Sequence, residues 1–90
     1  MADIERIRAE IADLATRPNG VRFEEIERMV NQLGLAGFDV HSRRAKETVL
    51  FRVNEHRFGV SDHNPGRQHV KAVYVKGFLK VMAMLGLHED

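Results

Sequence analysis

Between Gly34 and Val70 the apolar residues of this chain stop recurring every three or four positions and alternate instead, before helical spacing resumes. Phe38 and Val40 alternate with Asp39 and His41. Val49, Phe51 and Val53 alternate with Thr48, Leu50 and Arg52, and Phe58 and Val60 alternate with Arg57, Gly59 and Ser61. A period of two sends successive side chains to opposite faces, so each run reads as a half-buried strand. Asn54-Glu55-His56 is short enough for a hairpin loop, and the link between the first two strands, around Arg43 to Lys46, reads as a basic turn. Short links make consecutive strands antiparallel neighbours. The expectation is a three-stranded meander with helices over one face.

Helical spacing flanks this region on both sides. Ile4, Ile7, Ile11 and Leu14 line one side of a first helix over about residues 3–16, ended by Arg17-Pro18-Asn19-Gly20. Phe23, Ile26, Val30 and Leu33 supply the stripe of a second helix over about 23–33. Its first turn carries Glu24 and Glu25, and Gly34 is expected as its left-handed cap. Val70, Tyr74, Phe78, Val81 and Leu85 mark a last helix over about 70–85. The fold class expected is α+β, an α-β-β-β-α core over residues 21–87 with an extra N-terminal helix over residues 1–18. Ninety residues suffice for one hydrophobic core and not for two.

Composition removes several function classes. With 43% apolar and 30% charged residues the chain has the balance of a globular protein rather than a disordered one. No apolar run approaches the roughly 20 residues that span a bilayer, and MADIERIRAEI has no hydrophobic signal core. Absence of cysteine excludes disulfides and thiolate metal sites. His56, His63 and His69 match no compact ligand spacing, so neither a metal nor a cofactor is expected. These features suit a soluble cytoplasmic protein with no membrane partner.

Charge is unevenly distributed. Residues 40–80 contain Arg43, Arg44, Lys46, Arg52, Arg57, Arg67, Lys71, Lys76 and Lys80 against Glu47, Glu55 and Asp62, within a chain of formal net charge +1. His41, His56, His63 and His69 lie in the same stretch. A basic, histidine-bearing half points to a polyanion, with RNA the leading candidate. Arg43, Arg44, Lys46, Arg67 and Lys71 are the expected RNA-binding residues. The competing assignment is an ordinary solvated surface.

From Val21 to Leu87 the chain resembles the HicA family of toxins. The resemblance rests on "RFEEIERMVNQLGL" as an opening helix, "GF" starting a strand, "FRV…RFGVSDH" for the second and third strands, and "GRQHVKAVYVKGFLKVMAMLGL" for the closing loop and helix. It implies a fold like that of double-stranded-RNA-binding domains, endoribonuclease activity on messenger RNA, and a HicB-like antitoxin as partner. It also implies a catalytic histidine in a Gly-Ser-His motif entering the second strand. This chain departs there. Counting back from Phe51 the histidine position holds Thr48, and counting forward from Gly37 it holds Glu47.

Metal-free RNA cleavage needs a base for the 2′-hydroxyl proton, and an imidazole, with an ordinary pKa near 6.5, suits the task. A threonine hydroxyl does not titrate in that range. His63, at the end of the third strand beside Arg67, is the leading substitute; His41 reads as a solvent-facing strand residue. Three readings stay open: a toxin component that binds mRNA and cleaves it through another residue, a non-catalytic RNA-binding or regulatory relative, and an interaction module whose basic face docks an acidic antitoxin. Oligomeric state is left open.

Overall fold

Asp3 opens the first helix by accepting a 3.0 Å hydrogen bond from the Glu5 backbone N–H, which satisfies one of the donors a helix start leaves unpaired. The computed structural model describes residues 3–61 and 69–89. Helix α1 spans Ile4–Ala15 and buries Ile7, Ile11 and Leu14. Helix α2 spans Phe23–Leu35 and buries Ile26, Met29, Val30 and Leu33. At its start the Glu25 carboxylate accepts from the Arg22 N–H at 2.8 Å while the Glu25 N–H donates to the Arg22 carbonyl at 3.1 Å. This reciprocal pair fixes the first turn.

Three six-residue strands follow: β1 (Val40–Ala45), β2 (Thr48–Val53) and β3 (His56–Ser61). They form one antiparallel sheet in the order β1-β2-β3. Helix α3, Ala72–Met84, closes the chain. The observed order α-α-β-β-β-α is the α+β arrangement expected from the sequence, with the extra helix first.

Several boundaries differ from the expectation. Arg43 and Arg44 lie within β1 rather than in a basic turn, and the turn is only Lys46-Glu47, with Lys46 at φ 57°. The first strand, expected from the alternation over Phe38 to His41, runs on to Ala45; it is an edge strand with both faces largely wet, so its second half carries no apolar alternation. His56 is the first residue of β3, and the hairpin turn shrinks to Asn54-Glu55, with Asn54 at φ 55°. Asparagine tolerates that left-handed conformation better than most side chains. Gly34 is not the cap of α2. The helix continues to Leu35, and Gly37 takes the left-handed conformation at φ 104°.

The core lies between the helices and one face of the sheet. α2 packs on β1 and β2, α3 packs on β3, and α1 packs on α2 and α3. Val49, Phe51, Val53, Phe58 and Val60 point into it, as do the three buried residues of α1. Rings step from helix to sheet and back. Phe23 and Phe51 have centroids 6.2 Å apart, Phe51 stacks on Phe58 at 5.2 Å, and Phe58 meets Phe78 edge-on at 5.5 Å. Offset and edge-on pairs add to the gain from burial. The Val70 N–H donates to the Val21 carbonyl at 2.7 Å, joining the approaches to α3 and α2.

Candidate nucleic-acid interface

Directly paired residues of an antiparallel sheet share a face, so the register defines what the uncovered side carries. One row across the three strands is His41–Arg52–Arg57, the next is Arg43–Leu50–Gly59, and the third is Ala45–Thr48–Ser61. No helix covers these rows, since their neighbours Val49, Phe51, Val53, Phe58 and Val60 take the helix side. A groove of about 690 Å³ lies across the first two rows, bordered by His41, Arg43, Leu50, Arg52, Arg57 and Gly59. Leu50, 38% exposed, is its apolar centre, ringed by one imidazole and three guanidinium groups.

Ion pairing on this face is sparse. Among the described residues no carboxylate pairs with Arg43 or Arg57. Among the described residues Asp39 is the one acid drawn to the groove's edge. Its Oδ1 stands 3.0 Å from His41 Nε2 and its Oδ2 accepts from Arg52 Nη2 at 3.4 Å. Asp39 is itself held at the backbone: its N–H donates to Asn54 Oδ1 at 3.0 Å, and its carbonyl accepts from the Asn54 N–H at 2.7 Å. Arg52 Nε is buried without a hydrogen-bond partner among the described residues.

The expected RNA-binding residues separate in space. Arg43 stands on the open face. Arg44, paired with Val49, points to the helix-covered side of β1. Lys46 sits in the exposed turn, and Lys71 is the N-cap of α3, exposed and making no side-chain capping bond. Glu47 is exposed in the same turn, its carbonyl accepting from Ser61 Oγ at 3.2 Å. Thr48 lies on the open face in the row beyond Leu50. His63 and Arg67 lie outside the described residues.

Sequence reasoning did not assign Arg52, Arg57 or His41 to the site. The alternation that buried Phe51 and Phe58 already placed Arg52 and Arg57 on the opposite face, and that signal was available. What it lacked was the register of β1, which brings His41 and Arg43 into the same rows. Away from this face, Arg17 gathers Asp13 (3.0 Å) and Glu25 (2.9 Å) and donates to the Gly20 carbonyl at 2.8 Å, clamping the α1–α2 link. Partial burial pushes the Glu25 carboxyl up, but hydrogen bonds from Arg17 and the Arg22 N–H outweigh it and hold the pKa below its ordinary value.

No helix among the described residues is long and apolar enough to cross a membrane. No family model matches the chain, and no curated protein or solved structure matches it either.

Proposed function

We propose that this protein is a HicA-like toxin component that binds RNA on the open face of its sheet. The observation that carries this reading is the groove around Leu50, bordered by His41, Arg43, Arg52 and Arg57 with Asp39 as its only paired acid among the described residues. Phosphates supply the negative charge such a face lacks, and bases stack on guanidinium planes and apolar side chains. A three-stranded face is about 10 Å from first to last strand and about 17–20 Å along them, a size suited to a few unstacked nucleotides. The sequence resemblance supports messenger RNA as the ligand, a HicB-like antitoxin as the partner and the cytoplasm as the setting.

Binding of a labelled single-stranded RNA, followed by fluorescence anisotropy, tests this reading. Wild-type affinity falls steeply with salt, and the Arg43→Ala, Arg52→Ala, Arg57→Ala triple variant loses most of it. A Lys76→Ala, Lys80→Ala variant, altered on exposed positions of α3, binds as wild type. Equal binding by both variants rejects the open face as the RNA site.

A further inference from the structure

We propose that Gly59, with Leu50 and Thr48 of the neighbouring strand, forms a floor on which one unstacked nucleobase lies flat, so that this face selects single-stranded over duplex RNA. The inference rests on the RNA-binding reading above and adds to it which part of the ligand is recognised, and where.

Gly59 is a poor strand residue inside a regular strand. It lies within β3 on the open face, between Phe58 and Val60, which are buried on the helix side. Glycine there offers no side chain to pack and loses more chain freedom on folding than any other residue. Its backbone does not demand glycine either, since the left-handed glycines among the described residues are Gly37 and Gly86. Packing makes no stricter demand. A Cβ at position 59 would stand 3.3 Å from Thr48 Cγ2 and 3.4 Å from Leu50 Cδ2, both ends of side chains that can yield by a few tenths of an ångström. A glycine in a strand interior that neither turn nor packing requires marks a place where a ligand approaches the backbone closely.

The two methyl groups border the bare backbone, and together they make an apolar surface with no side chain of residue 59 standing above it. Cations stand around this floor rather than on it. Arg57 is two residues along β3, about 7 Å away at the backbone, and Arg43 lies beyond Leu50, about 10 Å across the sheet. No carboxylate pairs with either among the described residues. A flat apolar patch between two such guanidinium groups matches a base flanked by its phosphates. In a duplex each base face is covered by the next pair and only edges are exposed. A floor that takes faces therefore accepts a base only from an unpaired stretch.

The test measures binding of the full chain, over a range of salt, to three labelled ligands of one length. They are a single-stranded RNA, the same strand with abasic ribose throughout, and the duplex. Wild type prefers the intact single strand to the abasic strand by about tenfold. It also prefers it to the duplex at the highest salt, where phosphate contacts contribute least. Gly59→Thr suits a strand but stands above the floor, so its affinity for the intact strand falls about tenfold, to the abasic level. Its abasic binding and its salt slope, which counts phosphate contacts, stay as in wild type. Gly59→Ala adds one methyl group and falls between the two; it carries the comparison if thermal melting shows that the threonine variant does not fold. Equal wild-type affinity for intact and abasic strands, preference for the duplex at the highest salt, or Gly59→Thr binding the intact strand as wild type does overturns the inference and leaves the phosphate-binding face standing. So does a parallel loss of intact and abasic binding in the variants. Failure to bind any of the three ligands overturns both readings.

Discussion

A Cβ built on Gly34 would stand 2.8 Å from Cγ2 of Val40, closer than side chains pack. The glycine lets α2 lie against the start of β1, the strand that carries His41 and Arg43. Alanine here gains about 1 kcal/mol of helix propensity and forces an overpacked contact costing about 1–3 kcal/mol. Gly34→Ala is therefore expected to lower stability by about 1 kcal/mol in urea titration. The Val40→Ala background, which removes the clashing methyl, should reverse the sign of the effect.

Gly77 gives the opposite result. It lies inside α3, and a Cβ there meets nothing within 4 Å. Gly77→Ala is expected to stabilise the protein by about 0.8–1 kcal/mol, seen as a higher Tm. A lower Tm would show that the surface of α3 is not as open as the geometry makes it.

Phe51 joins the rings of α2 and β3 and is almost completely buried. Phe51→Ala should cost about 3–5 kcal/mol, and Phe51→Leu much less. In a domain whose total stability is about 5–15 kcal/mol, the alanine variant approaches the folding threshold. Denaturant midpoints of the two variants provide the comparison.

Leu50 separates binding from folding. It is partly exposed on the uncovered side, so Leu50→Glu should shift Tm little while placing a carboxylate among Arg43, Arg52 and Arg57. RNA affinity is expected to fall at least tenfold, or about 1.4 kcal/mol. Anisotropy titration reads it directly.

Acid should weaken the α1–α2 link. Glu25 has its carboxyl held below the ordinary 4.5, chiefly by Arg17 once the opposing effect of partial burial is overcome. A depressed folded-state pKa contributes stability that is present above the unfolded value and lost as pH falls through the folded one. Stability measured from pH 6 downward is expected to drop below about pH 4.5, and Glu25→Gln should flatten that part of the curve.

The helices and all three strands were legible, β2 and β3 most fully, because each of those two buries a regular stripe. Ile7, Ile11 and Leu14 recur at helical spacing, and Phe51 and Val53 alternate with polar partners. β1 was legible only at its start, where Phe38 and Val40 alternate with Asp39 and His41; the rest of VHSRRA has water on both sides and no stripe to show. Its extent and register are set by pairing with β2 across the two-residue Lys46-Glu47 turn, which the residue pattern alone does not reveal. The basic half was visible as composition, but which cations share a face was not. Arg43 and Arg44 are adjacent in the chain and opposed across the sheet, so a count of charge could not separate them. The alternation already set Asp39 and His41 on one face, but the 3.0 Å contact between them was not legible in it.

Lys46, held at positive φ in a turn of two residues, acts as the chain's vernier. One residue inserted there would carry Arg44 outward and Arg43 under the helices, exchanging a strand's worth of side chains with every residue of β1 unchanged. The chemistry of the groove is thus tuned by the length of a bend that never touches it.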